Sequence, residues 1–195
     1  MLNVPPSPGP RVGIFGGAFL RVSNAGGALA KSVGEAIANR GLIAVTGATS
    51  GLPHLASRGA IEAGGIVLGI SPARNTKEHV EVYKKPLDGC TYIIFTGQGY
   101  TGRNYLTVRN CQLGIFLGGE AGTLEEYCVG VYEGLVLGAL TNSGGVSELL
   151  PEIVKRFHTS HGGAFIFGTE AGKLLDEMLV AYRSLPEKTD YRIGG

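Results

Sequence analysis

Two arginines and three glutamates lie close together in residues 102–126, which read GRNYLTVRNCQLGIFLGGEAGTLEE. They are Arg103, Arg109, Glu120, Glu125 and Glu126. Guanidinium groups bind anions such as phosphates, whereas carboxylates repel them, so an anionic ligand would need compensation from the arginines. Six positions separate the two arginines, about 240° of helix rotation, so they do not share one face. Arg103 is the better ligand candidate, and Arg109 is either a ligand contact or an internal ion-pair partner.

A glycine-rich turn follows the apolar run 113–117, which is typical of a buried parallel strand. Backbone N–H groups in such a turn, and the N-terminus of the next helix, bind anions. The turn therefore predicts a ligand site that includes Gly119, Glu120, Gly122, Thr123 and Glu125. The spacing of Thr123 and Glu126 is also that of a capping box, in which the threonine precedes the helix. Glu126 is thus either part of a helix cap or a carboxylate at the mouth of a pocket.

Apolar runs alternate with helical patterns along the rest of the chain. Strands are predicted at 11–15, 42–45, 66–70, 92–95, 113–117, 135–140 and 164–167. Helices are predicted at 24–40, 52–63, 123–133, 146–157 and 169–183, and another begins near Arg103. Residues 71–90 are polar and predict a long loop, either a lid or an excursion at the sheet edge. This alternation predicts a single-domain α/β fold with a mostly parallel sheet between two helical layers.

Four glycine-bearing turns follow predicted strands, at 16–17, 47–51, 97–102 and 118–122. Ligands of parallel α/β sheets bind beyond the carboxyl ends of the strands, so all four turns should open onto one rim. None has the spacing of a dinucleotide fingerprint or a Walker loop. Ser50 also lacks the G-x-S-x-G context of a serine nucleophile. An NAD enzyme, an ATPase and a serine hydrolase are therefore not the first expectation.

Whole-chain properties restrict the function classes further. A chain of 195 residues fits one domain. Its formal net charge of +1 carries no electrostatic signature of nucleic-acid or membrane binding. No apolar run reaches the ~18 residues of a membrane span, and no signal-peptide pattern occurs. We therefore expect a cytoplasmic protein with neither nucleic acid nor membrane as a partner.

Cysteines and histidines do not predict a metal site. The three cysteines, Cys90, Cys111 and Cys128, are odd in number and lack zinc-site spacing, so we expect buried thiols in a reducing compartment. His158 and His161 have no carboxylate at metal-ligand spacing, and His54 and His79 are isolated. We expect structural or solvated histidines and no bound metal.

The arginines together with residues 118–126 resemble the R-K-x(n)-P-G-G-x-G-T-x-x-E signature of the LOG-like proteins. Residues 15–17, 46–51 and 57–60 also resemble the first two phosphate-facing loops of that family, which implies ligand contacts from Gly16, Gly17, Gly47, Ser50 and Gly51. The family includes cytokinin-activating nucleoside 5′-monophosphate phosphoribohydrolases, proteins labelled "possible lysine decarboxylase", and molybdenum-cofactor carrier proteins. The likeness covers residues 11–183.

This resemblance implies a Rossmann-like three-layer domain at 11–183. The proline-rich start predicts a disordered arm at 1–10, and the polar end predicts a tail at 184–195. It also implies a homodimer or higher oligomer. In the hydrolases, the arginine and the last glutamate of the signature act on an N-glycosidic bond, so Arg103 and Glu126 would be the catalytic residues. The implied reaction converts a nucleoside 5′-monophosphate to free base and ribose 5-phosphate without a cofactor. The alternative is a non-catalytic carrier that binds the molybdenum cofactor, a pterin.

Three positions depart from the hydrolase signature. Asn104 replaces lysine, Gly118 replaces proline, and Glu120 replaces the second glycine of the pair, which adds a negative charge to the phosphate-facing turn. Asn104 and the missing proline resemble the carriers more, whereas Arg103 and Glu126 are retained as in the hydrolases. We predict the hydrolase, with the carrier as the alternative and a nucleotide sensor as a third possibility. No lysine stands in a pyridoxal-phosphate motif, so decarboxylation has no support.

Overall fold

The computed structural model of the protein describes residues 9–18, 23–157 and 163–185. The strands are β1 (Arg11–Gly16), β2 (Ile43–Thr46), β3 (Ile66–Ser71), β4 (Tyr92–Phe95), β5 (Leu113–Leu117), β6 (Val136–Leu140) and β7 (Phe165–Gly168). The helices are α1 (Asn24–Ala38), α2 (Leu52–Glu62), α3 (Thr76–Glu81), α4 (Gly99–Arg109), α5 (Ala121–Tyr132), α6 (Val146–Arg156) and α7 (Ala171–Ser184). The predicted strands are confirmed, because each lies within one residue of its predicted position.

All seven strands form one parallel sheet in the order β4-β3-β2-β1-β5-β6-β7. The chain winds outward from β1 to the β4 edge, returns through α4 to β5, and then winds outward to the β7 edge. Because strand–helix–strand crossovers are right-handed, this reversal places the crossover helices of the two halves on opposite faces, α1 and α2 on one and α5 and α6 on the other. Helix α7, which follows the last strand, lies on the face of α1 and α2. The α/β, Rossmann-like three-layer fold is therefore confirmed, and its point of reversal lies between β1 and β5.

Two hydrophobic clusters fill the spaces between the sheet and its helical layers. One contains residues of α1, α2 and α7, and the other contains residues of α4, α5 and α6. Strand β1 contributes side chains to both clusters, because Val12 and Ile14 face the first cluster and Phe15 faces the second. Each fully buried side chain of this size contributes about 1.5–3 kcal/mol to folding. The core thus holds the carboxyl ends of the strands in fixed positions.

Residues 71–90 are not the plain loop that their polar sequence predicts, because they contain α3. The side chain of Asn75 caps this short helix by accepting a hydrogen bond from the N–H of Glu78 at 3.0 Å. His79 is fully buried, with Nδ1 2.8 Å from Ser71 Oγ and Nε2 3.0 Å from the Pro86 carbonyl oxygen. The sequence signal for this helix was the Asn-x-x-Glu spacing, which is a helix start.

Two helices begin earlier than predicted. Helix α4 starts at Gly99 rather than near Arg103, and α5 starts at Ala121, with Glu120 at the N-cap position and no side-chain cap. Thr123 is therefore in the third position of the helix, and of the two alternatives for Glu126 the capping box is wrong. The reason lies in the preceding turn, where Gly118 and Gly119 have positive φ angles of 60° and 96° and complete the reversal before residue 120.

The remaining predictions have mixed outcomes. Cys111 is buried as expected, but Cys128 is exposed on α5, so the expectation of buried thiols is wrong there. His158, His161 and most of the predicted arm and tail lie outside the described residues. None of the helices that the structure describes is long and apolar enough to cross a membrane. Within the same ranges, no three potential metal-ligating side chains converge.

Candidate functional site

A cleft of about 210 Å³ lies at the carboxyl ends of the strands, where β1 and β5 diverge into their two turns. This is the position at which parallel α/β sheets bind ligands. Its walls come from the ends of β1 and β2, from α4 and from the start of α5. The lining residues are Ile14, Gly16, Gly17, Ala18, Gly47, Thr49, Pro53, Tyr100, Arg103, Asn104, Glu120, Ala121, Gly122, Thr123 and Glu126.

The turn between β5 and α5 is fixed by the turn that follows β6. The Gly118 N–H donates to Ser143 Oγ at 2.8 Å, and the Gly118 carbonyl accepts from Ser147 Oγ at 3.0 Å. The Gly119 carbonyl accepts from the Val146 N–H at 2.9 Å. These glycines are therefore used to hold the turn, and Gly119 does not line the cleft. The first turn of α5 lines it instead, with N–H groups that have no partner inside the helix.

The turn between β2 and α2 depends on close contacts with its neighbours. A Cβ atom at Gly47 would collide with Nη1 of Arg103. Gly51 has a φ of +74°, and a Cβ there would collide with the Gly17 carbonyl oxygen. Because the Leu52 N–H donates to that same oxygen at 3.0 Å and the next residue is a proline without an N–H, α2 offers a ligand fewer free donors than α5.

A buried lysine fastens this turn to its surroundings. Lys85, which is 5% exposed, donates from Nζ to Ser50 Oγ at 3.1 Å. Ser50 Oγ in turn donates to the Ala18 carbonyl oxygen at 2.9 Å. Burial and the positive charge of Arg103 lower the pKa of Lys85. Ser50 therefore links two turns and the 71–90 segment, and it does not line the cleft.

Helix α4 presents Tyr100, Arg103 and Asn104 to the cleft on one face. These residues are three and four positions apart, which is the spacing of neighbours on a helix surface. The Arg103 guanidinium lies over the Tyr100 ring, with Cζ 5.9 Å from the ring centroid. Asn104 Nδ2 donates to Glu125 Oε2 at 2.8 Å, so it holds the Glu125 carboxylate beside the cleft wall.

Arg103 and Glu126 form a buried pair of opposite charges at the base of the cleft. Nη1 of Arg103 is 3.8 Å from Oε1 of Glu126, and the two residues are 6% and 7% exposed. That separation is too long for a hydrogen bond. Within the described residues, Nε of Arg103 and the hydroxyls of Thr46 and Thr49 have no hydrogen-bond partner. Arg103 and Thr49 line the cleft. Since buried polar groups are nearly always paired, the cleft is suited to a polar ligand.

Burial controls the protonation of Glu126. Loss of hydration raises the pKa of Glu126 to about 8, against the opposing pull of Arg103. Burial lowers the pKa of Arg103, but a guanidinium stays protonated in proteins. At neutral pH the pair is therefore a permanent cation beside a carboxylic acid that can still donate its proton.

Eight of the predicted site residues lie in the cleft wall. They are Gly16, Gly17, Gly47, Arg103, Glu120, Gly122, Thr123 and Glu126. Ser50, Gly51, Gly119 and Glu125 stand behind this wall and hold its turns or side chains. Arg109 is elsewhere, because its side chain donates to Tyr105 Oη at 3.0 Å and pairs with Glu133 at 3.3 Å. Of the two roles that the sequence allowed for Arg109, the structure places it in the ion pair.

Sequence reasoning missed Tyr100, Thr49 and Lys85. Tyr100 could have been found by its spacing, because it precedes Arg103 by one helical turn. Thr49 lies in a turn that was already recognised. Lys85 carried no local signal, since only the tertiary fold brings residues 82–90 to the turn after β2.

Comparison with known structures places the fold among proteins of diverse roles. The protein TM1055 is 19% identical, with a TM-score of 0.76 over 88% of this chain and 98% of that one. The molybdenum cofactor carrier protein of Chlamydomonas reinhardtii is 22% identical, with a TM-score of 0.70 over 90% of this chain and 99% of that one. At these identities the likeness establishes the fold alone.

A DNA-binding protein also shares this fold. DNA processing protein A of Helicobacter pylori, described by its single-stranded DNA binding mode, is 16% identical, with a TM-score of 0.58 over 91% of this chain and 82% of that one. The absence of a nucleic-acid partner therefore stays a prediction for this protein.

Sequence comparison identifies the family. No curated protein matches the chain. The model of the SLOG cluster 4 family matches residues 10–174, which is most of the sequence. This match confirms the resemblance to the LOG-like superfamily that the signature in residues 103–126 indicated. The protein belongs to the SLOG cluster 4 family.

Proposed function

We propose that the protein binds a phosphorylated nucleotide-like ligand in the cleft and hydrolyses the N-glycosidic bond of a nucleoside 5′-monophosphate. The products are the free base and ribose 5-phosphate. The observation that carries this proposal is the buried pair of Arg103 and Glu126, 3.8 Å apart, in which Glu126 has a pKa of about 8. An acid that holds its proton near neutral pH is suited to protonating a leaving group.

The charges around the cleft support a phosphate as one part of the ligand. Arg103 is a buried cation in the cleft wall, and its charge helps lower the pKa of Lys85, which is buried behind that wall. The N-terminus of α5 adds partial positive charge from its free N–H groups. Glu126 does not oppose these charges while it is protonated. Glu120 is exposed at the rim, where water screens its charge.

The proposed reaction conserves protons within the site. Glu126 donates its proton to a ring nitrogen of the base as the bond between that base and C1′ of the ribose breaks. The resulting carboxylate stabilises the positive charge that develops on the sugar. It then accepts a proton from the water whose oxygen bonds to C1′, which regenerates the acid. Arg103 holds the ligand's anionic group through charge-assisted hydrogen bonds. No cofactor takes part.

Incubation with the four common ribonucleoside 5′-monophosphates tests this proposal, with released base and ribose 5-phosphate measured by chromatography. Release of both products in equal amounts is the expected result. Glu126→Gln should abolish it, because the amide cannot donate a proton to the base. Glu152→Gln is the matched control, since Glu152 is an exposed residue on α6 that pairs with Lys155. Full activity in Glu126→Gln would refute the role of Glu126.

The second candidate is a carrier that binds a molybdenum-cofactor-like pterin without cleaving it. Two residues of the cleft favour it: Asn104 pairs with Glu125 where hydrolases carry lysine, and Glu120 adds a carboxylate at the rim. The fold shared with the Chlamydomonas carrier is consistent with this candidate. Saturable binding of the isolated cofactor, together with no base release from any nucleotide, would replace the hydrolase by the carrier.

A homodimer or higher oligomer, which the family resemblance implies, is part of the same proposal. Light scattering of the purified full chain measures its mass directly. A mass of one chain at all concentrations would refute the oligomer.

A further inference from the structure

We infer that Tyr100 contacts the planar heterocycle of the ligand, and that it selects ring-bearing phosphates over plain sugar phosphates. This inference rests on the proposed function, since it assumes that a phosphorylated heterocycle binds in this cleft. It concerns the recognition of the ring rather than its cleavage. The shared chemistry is a flat nitrogen heterocycle, whether a nucleobase or a pterin.

Tyr100 is placed at the cleft by helix geometry. It lies in the first turn of α4 and lines the cleft together with Arg103, three positions later. Tyr100 is 43% exposed, whereas Arg103 below it is 6% exposed. The tyrosine therefore lies toward the mouth of the cleft and the arginine toward its base. A ligand whose anionic end reaches Arg103 extends past Tyr100.

Two neighbours hold the Tyr100 ring in place. Its centroid is 5.3 Å from that of Tyr83, at an interplanar angle of 84°, which is a favourable edge-to-face arrangement. The guanidinium of Arg103 lies 5.9 Å from the same centroid. The ring is thus held from two directions, and the rest of it is exposed to the cleft. A ring that is already ordered loses little entropy when a ligand stacks on it.

The size of the cleft also places the heterocycle near Tyr100. At about 210 Å³ it is smaller than the ~300–1,000 Å³ of pockets that enclose drug-sized ligands. It cannot enclose a whole nucleotide, so one part of the ligand must lie at the mouth. Of the polar groups without hydrogen-bond partners, Nε of Arg103 and the Thr49 hydroxyl belong to residues that line the cleft. They assign the anionic part of the ligand to the inner end of the cleft. The ring then lies between that end and the mouth, with its glycosidic edge toward Glu126 and one face against Tyr100.

Tyr105 provides an internal control for this inference. It lies on the same helix, is 44% exposed, and has an arginine guanidinium, that of Arg109, 5.5 Å from its ring centroid. Tyr105 does not line the cleft. The two tyrosines therefore match in exposure, helix and arginine contact, and they differ in their position relative to the cleft.

The test compares Tyr100→Leu with Tyr105→Leu by calorimetric titration of the full chain. The ligands are the four ribonucleoside 5′-monophosphates, neopterin monophosphate and ribose 5-phosphate. Base–aromatic stacking predicts that Tyr100→Leu weakens binding of the heterocyclic ligands by about tenfold, with ribose 5-phosphate unaffected. Tyr105→Leu should change neither the affinity for the heterocyclic ligands nor that for ribose 5-phosphate. Equal losses for all ligands, or equal effects of both variants, would overturn the inference.

Tyr100→Trp gives a second, optical test, because the protein contains no tryptophan. The new side chain would be the single indole of the molecule, and a stacked heterocycle should quench its fluorescence to saturation. Ribose 5-phosphate should not quench it, and neither ligand class should quench Tyr105→Trp. An indole that no heterocycle quenches, although binding is detected by calorimetry, would refute the contact.

The outcomes separate this inference from the proposed function. Ring binding that depends on Tyr100 without release of base keeps the inference and refutes the hydrolase. Release of base that Tyr100→Leu leaves unchanged in KM and kcat keeps the hydrolase and refutes the inference. A folded native protein that binds none of these ligands refutes both. Comparison of neopterin monophosphate with the nucleotides decides between the two classes of heterocycle.

Discussion

Arg103 and Glu126 are buried side by side, with 3.8 Å between Nη1 and Oε1, and no hydrogen bond joins them. Helix α4 supplies the arginine and helix α5 supplies the glutamate, so the strand between them, β5, sets their relative position. The attraction of Arg103 favours the glutamate anion, but loss of water favours the neutral acid, and burial has the larger effect. The pair therefore holds a proton and a positive charge in the same place at neutral pH.

The rate of base release should depend on pH through Glu126. A general acid must be protonated, so we expect kcat to be constant below about pH 8 and to fall as pH rises through the Glu126 pKa of about 8. A bound phosphate dianion would raise this pKa further, since negative charge disfavours the carboxylate. Glu152→Gln should keep the profile. A rate that instead increases through this range would assign Glu126 the role of a general base.

Folding stability should depend on the same ionisation. The pKa of Glu126 is about 8 in the folded protein, whereas a glutamate exposed to water, as in the unfolded chain, has a pKa of 4.5. Between these values the folded state retains a proton that the unfolded chain releases. This contribution is complete below the lower value and is lost as pH rises toward the higher one. The free energy of unfolding should fall by up to about 1.4 kcal/mol per pH unit between them.

Urea unfolding across this pH range, for the native protein and Glu126→Gln, measures the effect. The glutamine variant lacks the titrating group, so its stability should depend less steeply on pH. Other ionisable groups are shared by both proteins and cancel in the difference. Parallel stability profiles would show that Glu126 is ionised in the folded state throughout.

The fold followed from the sequence because its signals are local and repeated. Runs such as 113–117 and 66–70 are apolar over the length of a strand, and the first helix pattern is bounded by a capping serine, Ser23, and a glycine stop, Gly41. Ser23 caps α1 as predicted, by accepting from the Gly26 N–H at 3.1 Å. Helix α3 was missed because five of its six residues are polar and a single buried histidine anchors it. Short elements of this kind are stabilised by tertiary contacts rather than by periodicity.

The site could be predicted in part. The positions of the turns followed from the sequence, but the contacts of individual side chains did not. Parallel topology brings the turns after β1, β2 and β5 to one rim, which is why Gly16, Gly47 and Gly122 all line one cleft. Whether Ser50 faces a ligand or another loop depends on Lys85, whose position is fixed only by the folded 71–90 segment. Local sequence patterns contain no information about such long-range pairing.

The two arginines of α4 should differ completely in their effect on binding. Arg103→Gln removes a buried cation from the cleft, so affinity for ribose 5-phosphate should fall by about 10–100-fold, the range for a lost charged hydrogen bond. Arg103→Lys keeps the positive charge but not the planar guanidinium, so it should lose less affinity for ribose 5-phosphate than Arg103→Gln. Arg109→Gln should not alter affinity, because Arg109 contacts Tyr105 and Glu133. Equal losses in the two glutamine variants, measured calorimetrically, would contradict this assignment.

Gly47→Ala should disturb the site through one added methyl group. The backbone at Gly47 is not left-handed, so alanine is allowed there, but its Cβ would collide with Nη1 of Arg103. The guanidinium must move, which should weaken binding of ribose 5-phosphate and lower stability by about 1–3 kcal/mol, the usual cost of overpacking.

Gly172→Ala is the control for that substitution. It lies in α7, where an added Cβ meets its nearest neighbour, Arg40 Nη2, at an ordinary 3.7 Å. Alanine in a helix is favoured over glycine by about 0.5–1 kcal/mol, so this variant should be slightly more stable, with unchanged affinity. Calorimetric titration and urea unfolding measure both quantities for both variants. If Gly47→Ala binds ribose 5-phosphate as the native protein does, the position of Arg103 against the β2 turn is not needed for binding, and the anion is held by the N-terminus of α5 instead.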